Sequence, residues 1–193
     1  MARTKEFDPD AALQAALDLF WERGYEATSM ADLVDHLGIA RASLYATFGN
    51  KRDLYLKALD RYLETRNPSP VEILSQPGPA LPAVRALVEF YVADSIGDKR
   101  RRGCMIVNAA AEMLPGDPEV SRLLDTNWSA LEAALTSALI RARGEGDLPA
   151  GRDPRALARF LLVFLQGLRL VSKGSPDARR LREAAAEALT ILA

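Results

Sequence analysis

Apolar residues recur along this chain with the spacing of amphipathic helices. A first helix is predicted from Pro9, after the capping residue Asp8, to the residue before Gly24. Its apolar stripe follows an i, i+3, i+4, i+7, i+8 pattern: Leu13, Ala16, Leu17, Phe20 and Trp21. Thr28 or Ser29 can cap the next helix, and Ser29 with Asp32 makes a plausible capping box. The apolar stripe of this second helix is Met30, Leu33, Val34 and Leu37.

Gly38 follows the last residue of the second stripe and predicts a tight turn into a third helix. A residue free to adopt positive φ is needed where one helix ends and another begins within about three residues. Ile39, Leu44 and Phe48 can then face a core. The other sides of the third helix carry no acidic residue: Arg41, Ala42, Ser43, Tyr45 and Thr47. Two short helices hinged on one glycine are typical of a helix-turn-helix DNA-binding motif.

The outward residues of the third helix have the chemistry to bind DNA. Arg41 can donate two hydrogen bonds to guanine, Ala42 can contact a thymine methyl, and Ser43 can bond to a base edge or a phosphate. Tyr45, Thr47 and Lys51 have donors for phosphate oxygens, and free backbone N–H groups at the helix starts near Thr28 and Lys51 are expected to add positive charge. The alternative is a plain helical hairpin whose polar face is solvated.

The rest of the chain also shows helical patterns, so the sequence predicts an all-α protein. A fourth helix is expected over about residues 50–66, followed by a proline-rich linker over 67–82 that cannot hold a regular helix. Further helices are expected over residues 83–96, 104–114, 118–143 and 153–173, and from 175 to the end. The predicted domains are a helix-turn-helix DNA-binding domain over residues 1–49 and a ligand-binding and dimerisation domain over residues 50–193.

The N-terminal pattern resembles the signature of the TetR family of transcriptional repressors, most specifically over residues 7–60. The residues that carry the resemblance are Gly24, Tyr25, Thr28, Leu33, Leu37, Gly38, Ile39, Leu44, Tyr45, Phe48, Lys51 and Leu54. It implies an all-helical homodimer with a three-helix DNA-binding head, a palindromic double-stranded DNA operator and a small-molecule inducer. By position it assigns phosphate contacts to Thr28, Tyr45, Thr47 and Lys51, and base reading to Arg41, Ala42 and Ser43.

Two groups of residues in the C-terminal part are candidates for ligand binding and dimerisation. The candidate ligand-binding residues are Phe90, Tyr91, Cys104, Val107, Asn108, Trp128 and Leu131, for which ordinary core packing is the alternative. The segment 155–171 is apolar almost all round and needs cover on more than one side. This segment and the alanine-rich last helix are therefore expected to form the contact between two copies, and the family resemblance implies a four-helix bundle across a two-fold axis. The alternative is that both helices only cover their own subunit. The candidate interface residues are Leu161, Phe164, Leu165, Leu168, Ala185 and Leu189.

Cys104 is the chain's one cysteine and a candidate covalent sensor. It follows a run of cations over residues 99–102 and stands where a helix is predicted to begin, and both features favour a thiolate. This run, with Glu112 in the following helix, also resembles the TetR-like repressors that respond to electrophiles or oxidants. Cys104 as a buried, pocket-lining residue is the alternative, because a single cysteine cannot form an internal disulfide.

Composition and charge narrow the possible functions. The chain of 193 residues is 49% hydrophobic with a net charge of −1, and residues 1–60 hold seven Lys or Arg against ten Asp or Glu. A DNA-binding surface must therefore be a local cluster, for which Arg3, Lys5, Arg41, Lys51 and Arg52 are the candidates. Without an apolar leader or membrane span, we expect a cytoplasmic protein. No cofactor and no metal cluster are expected. No catalytic pair is expected either, because the only histidine, His36, lies far in sequence from the only cysteine. A helical protein-interaction adaptor and a small enzyme are the remaining alternatives.

Overall fold

The computed structural model describes residues 7–66, 68–174 and 177–193, and every regular element in these ranges is a helix. The ten helices are α1 (Pro9–Arg23), α2 (Met30–Leu37), α3 (Arg41–Phe48), α4 (Lys51–Glu64), α5 (Pro70–Leu74), α6 (Ala80–Gly97), α7 (Met105–Met113), α8 (Pro118–Glu145), α9 (Pro154–Gly174) and α10 (Ala178–Thr190). The predicted all-α class is confirmed.

The proline-rich segment is more ordered than its composition predicts. It contains α5, which Ser69 caps with Glu72 in a capping box, and Pro70 takes the first helical position. The following helix, α6, begins at Ala80 and includes Pro82. The prediction that this segment holds no regular helix is therefore wrong, because a proline within the first turn lacks only an N–H that has no intrahelical partner there.

The chain divides into two compact units, the first of which comprises the described residues up to Arg66 together with Asn108–Val120. Here α1 packs against α2 and α4. Aromatic side chains link α1 to α4: the rings of Phe20 and Tyr55 lie 5.0 Å apart, as do those of Trp21 and Tyr62, both edge to face. Packing thus groups α4 with the helix-turn-helix, whereas the functional boundary after residue 49 stays a prediction.

The second unit comprises the described residues from 68 to Val107 and from Ser121 to Ala193. Its core is mainly aliphatic and is formed by α5, α6, α8, α9 and α10, with Leu87, Leu135, Leu139 and Leu161 fully buried. No helix among the described residues is long and apolar enough to span a membrane.

Candidate functional site

The turn between α2 and α3 fixes the orientation of α3 in the first unit. Ser29 and Asp32 form the predicted capping box at the start of α2. At its end Gly38 adopts a left-handed conformation, with φ 63° and ψ 26°, and its N–H donates to the carbonyl oxygen of Val34 at 3.0 Å. Leu33 and Leu44 are completely buried, so α2 and α3 are held by a shared core.

The opposite face of α3 is open to solvent. Arg41, Ala42 and Tyr45 are exposed, and Ser43 and Thr47 are half-buried. The Arg41 guanidinium lies 5.7 Å from the centre of the Tyr45 ring. At its start, after Ala40, α3 has no side-chain cap, so its first N–H groups remain available to a ligand. The predicted base-reading residues are therefore brought together at one bare helix N-terminus.

Two of the predicted phosphate contacts, Thr28 and Lys51, are engaged inside the first unit. The Thr28 side chain is completely buried and its hydroxyl donates to the Gly24 carbonyl oxygen at 2.7 Å. The Lys51 ammonium donates to the Tyr25 carbonyl oxygen at 3.0 Å and lies 4.0 Å from the centre of the Tyr25 ring. A phosphate contact would require Thr28 to leave the core, so we omit it from the interface, whereas Lys51 keeps two further donors.

The helix starts near Thr28 and Lys51 are less open than the sequence predicts. Ser29 Oγ accepts the N–H of Asp32 at 3.1 Å in α2, and Asn50 Oδ1 accepts the N–H of Arg52 at 2.8 Å in α4. Both starts are also closed by an acidic partner of the capping box, Asp32 or Asp53. The expectation of free N–H groups at these two starts is therefore wrong. Of the two helices of the helix-turn-helix, α2 and α3, only α3 has an uncapped N-terminus.

Arg52 does not add a free charge to the predicted basic cluster. Its Nε donates to Asp117 Oδ2 at 2.6 Å, and its Nη2 donates to Asp117 Oδ1 at 2.8 Å and to Glu119 Oε2 at 2.9 Å. Arg3 and Lys5 lie outside the described residues. The local positive charge that the described residues present on the motif thus centres on Arg41 and Lys51.

Glu112, which the sequence singled out only beside Cys104, makes a contact within the first unit that no sequence pattern predicted. Its Oε2 accepts the N–H of Glu26 at 3.0 Å. Gly24, with φ 92°, allows this approach, because a Cβ there would lie 2.5 Å from Glu112 Oε1. Burial, and secondly the Glu112 carboxylate, raise the pKa of the Tyr55 phenol. Residues 108–120 are therefore anchored on the turn between α1 and α2 through Glu112 and on α4 through Asp117.

We expect the stability of the first unit to depend on pH through Asp117. The bidentate hydrogen bond from Arg52, with the backbone N–H groups of Val120 and Glu119, holds the pKa of the Asp117 carboxyl well below its usual range. A lowered pKa in the folded state stabilises the protein fully above the unfolded value of about 3.9, and this stabilisation is lost as pH falls through the folded pKa.

Acidification below about pH 4 should therefore lower the urea midpoint of the wild type more steeply than that of Asp117→Asn. The amide still caps α8 but carries no charge. Asp125→Asn, at an exposed position on α8, is the matched control and should keep the wild-type slope. Parallel acid slopes in the wild type and Asp117→Asn would contradict this role.

The structure places most of the candidate ligand-binding residues inside the second unit. Tyr91 and Leu131 belong to its core, Cys104 and Val107 are buried, and Phe90 and Trp128 are half-buried. The Phe90 and Tyr91 ring centres are 6.2 Å apart. Asn108 is buried and falls in the first unit. An open groove between α8 and α9, lined by residues that include Glu132, Ile140 and Arg159, contains none of these candidates.

Arg169 is a buried charge of α9 that the sequence analysis did not select. Its side chain is 3% exposed and forms an ion pair with Asp94 of α6. The guanidinium lies 4.7 Å from the centre of the Tyr91 ring. One sequence signal could have revealed Arg169. It is the single cation in segment 161–171, whose other residues are nine apolar or small residues and one glutamine.

The candidate dimer residues lie mainly on the inner face of their helices. Leu161, Leu165, Leu168 and Ala185 are buried in the core of their own unit, and Phe164 and Leu189 pack partly against it. The four buried side chains leave no surface for a second copy and are not interface residues in this structure, whereas the half-buried Phe164 and Leu189 stay candidates. The apolar side chains that α9 exposes lie on its opposite face: Phe160, Val163, Leu170 and Val171.

Comparisons with known proteins agree on one family. The family described as bacterial regulatory proteins, tetR family, matches residues 12–58, and the tetracyclin repressor-like C-terminal domain matches residues 80–188. The uncharacterized HTH-type transcriptional regulator YezE of Bacillus subtilis (strain 168) is 40% identical over 193 residues, which cover 100% of both chains. The HTH-type transcriptional repressor ComR of Escherichia coli (strain K12) is 31% identical over 98% of this chain and 90% of ComR.

A solved structure shows the same similarity in three dimensions. A cysteine mutant of the TetR family regulator CifR, complexed with 26-bp double-strand operator DNA, matches with a TM-score of 0.87 and 33% identity, covering 100% of each chain. The chain belongs to the TetR family of bacterial transcriptional regulators.

Proposed function

We propose that this protein is a homodimeric repressor that binds a palindromic operator through α3 and releases it when a small molecule binds in the second unit. The observation that carries the proposal is the exposed face of α3, where Arg41, Ala42 and Tyr45 surround an uncapped helix N-terminus. The N-terminal residues of a recognition helix are those that reach base edges in the major groove.

The residues of α3 divide between base reading and phosphate binding. Arg41, Ala42 and Ser43 stand in its first turn and are assigned to the bases. Tyr45 and Thr47, with Lys51 at the start of α4, are assigned to phosphates. The positive end of the α3 dipole favours a nearby phosphate without adding net charge. This arrangement reconciles DNA binding with an acidic N-terminal segment.

Comparison with relatives supports repression and operator binding. ComR is named a transcriptional repressor, and the matched CifR structure contains operator DNA. A dimer with two heads requires half-sites about one helical turn apart, or about 34–36 Å. We infer that the exposed apolar face of α9 forms the dimer contact, because a contiguous apolar surface on a helix marks an interaction site.

The path of the chain supplies a means of regulation. Helix α7 begins in the second unit and ends in the first, and α8 returns to the second unit after Val120. Glu112, in the last turn of α7, and Asp117, just before α8, contact residues of the first unit. An effector that prefers one arrangement of α7 and α8 would thereby change the fraction of dimers whose two DNA-binding units match the half-site spacing of the operator.

Gel retardation with the DNA upstream of the protein's own coding sequence tests this function. We expect a complex that withstands excess random duplex, since specific binding exceeds non-specific binding by about 10³–10⁷-fold. The competitor experiment is repeated at several salt concentrations to separate base reading from phosphate contacts. Operator recognition would be contradicted if random DNA competed equally well against the upstream region and against every duplex selected from a library.

We expect Cys104 to act as a buried residue rather than as a fast thiol sensor. Its side chain is 4% exposed, so N-ethylmaleimide should alkylate the native protein at least about tenfold more slowly than the urea-unfolded chain. Mass spectrometry is unambiguous because Cys104 is the one cysteine. Cys104→Ser should bind the operator like the wild type. Fast alkylation with release of DNA, absent in Cys104→Ser, would instead establish covalent sensing.

A further inference from the structure

The guanidinium of Arg169 presents one unused binding edge inside the second unit. Its Nη1 pairs with Asp94, whereas its Nε and Nη2 are buried and have no hydrogen-bond partner among the described residues. Nε and Nη2 lie on the same side of the planar group, so their N–H bonds point in parallel. A parallel pair of donors matches the two oxygens of a carboxylate.

The first unit shows what this edge does when it is satisfied. Arg52 uses its own Nε and Nη2 to hold both carboxylate oxygens of Asp117, at 2.6 and 2.8 Å, and accommodates Glu119 as a second carboxylate. One arginine of this protein thus binds two carboxylates. Arg169 has one, Asp94, whose side chain is half exposed and therefore screened by water.

The Tyr91 ring and the Ser95 hydroxyl lie on one face of α6, the helix that also carries Asp94. Arg169 stacks on the ring of Tyr91, which is buried in the core of the second unit. One helical turn beyond Tyr91, on the same face of α6, the Ser95 hydroxyl is buried and also has no hydrogen-bond partner among the described residues. A buried donor without an acceptor is costly, so both groups favour a ligand that supplies oxygen acceptors.

We propose that the Nε–Nη2 edge of Arg169 binds the carboxylate of a small hydrophobic acid, with the Ser95 hydroxyl as a further donor and Tyr91 as apolar cover. This inference rests on the proposed function, because it assigns a chemical class to the effector of the second unit. The charge of Arg169 supplies affinity, and its planar fork supplies selectivity for a carboxylate over the corresponding amide.

Calorimetry on the full-length protein at pH 7 tests the site with two matched pairs of probes, benzoate against benzamide and octanoate against octanamide. We expect at least one acid to bind at least tenfold more tightly than its amide, because charge-assisted hydrogen bonds are about twice as strong as neutral ones. Arg169→Gln should weaken that acid by about 10- to 100-fold and leave the amide unchanged. Ser95→Ala should weaken it by about three- to tenfold.

Arg159→Gln is the matched control, since it removes an exposed arginine from the same helix. It should change the affinity of the acid less than twofold. If Arg169→Gln fails to fold, the comparison of acid with amide in the wild type and the effect of Ser95→Ala decide the question. Equal affinity of acid and amide in both pairs, binding of neither acid, or equal weakening by Arg159→Gln would overturn the proposal.

Operator release is measured separately to distinguish this site from the proposed function. Tight binding of an acid with release of the operator supports both. Binding that depends on Arg169 but leaves the operator bound supports the carboxylate site and contradicts its assignment as the inducer site. Inorganic phosphate is the last probe. If phosphate binds at the same site as tightly as the acid, selectivity for a carboxylate is overturned.

Discussion

Val163→Asp should convert the protein to a folded monomer that has lost most of its affinity for the operator. Val163 is 71% exposed and lies on the same face of α9 as Phe160 and Leu170. In a two-fold dimer the new carboxylate would be buried twice, without a partner, at a cost of several kcal/mol for each ion. Separate heads lose the advantage of a linked second half-site, so operator affinity should fall by about 10²–10⁴-fold.

Sedimentation and gel retardation measure the two parts of this result. Ala86→Asp, which adds the same charge at an exposed position of α6, should remain dimeric and bind the operator. Leu165→Asp should behave differently again, because Leu165 is completely buried in its own unit and a charge there should unfold the protein. A dimeric Val163→Asp variant with full operator affinity would contradict the proposed interface.

Arg41→Ala should reduce specific operator affinity by about 1–3 kcal/mol and relax specificity at one base position. The exposed guanidinium stands in the first turn of α3, where a bidentate contact with guanine is expected. Binding to random duplex should fall much less, because it depends on phosphate contacts rather than on base edges. Titration of specific duplex, random duplex and a duplex changed at each operator position measures both effects.

Tyr45→Phe is the matched control for base reading. It keeps the exposed ring beside Arg41 and removes a hydroxyl assigned to phosphate. We expect it to weaken all duplexes by a similar factor and to leave the order of sequence preferences unchanged. The assignment of Arg41 to a base fails if Arg41→Ala weakens specific and random DNA equally.

The helix-turn-helix unit could be predicted from the sequence because its signals are local. The caps Asp8 and Ser29 and the turn at Gly38 depend on neighbours a few positions away, and the buried Leu44 and Phe48 follow a local apolar spacing. The fold class and the family resemblance are confirmed for the same reason. A capping residue and an apolar stripe fix a helix before any tertiary contact is known.

The side chains that turned inward could not be predicted from spacing alone. Thr28 is hydroxylic and stands at a helix start, yet its side chain is completely buried and its hydroxyl donates to the Gly24 carbonyl oxygen. Helix α9 is apolar on two faces, so periodicity could not decide whether Leu161 or Val163 faces the core.

Long-range partners account for the remaining differences. Glu112 contacts Glu26, 86 residues away, and Arg52 contacts Asp117, 65 residues away. No local pattern encodes such pairs, and each polar residue is ordinary in its own segment. Arg169 is similar, since its significance arises only when its neighbours Tyr91 and Asp94 on α6 are known. Charge clusters drawn from sequence, such as the one that included Arg52, therefore overestimate the free positive surface.

Hydroxyl-radical footprinting of the protein on its operator tests most directly whether two copies of α3 read DNA. We expect two protected patches on one face of the duplex, about one helical turn or 34–36 Å apart between centres, and both should weaken in Arg41→Ala. Both patches should weaken together in Val163→Asp. A single patch, or two patches that Arg41→Ala leaves at full strength, would contradict the proposed two-headed repressor.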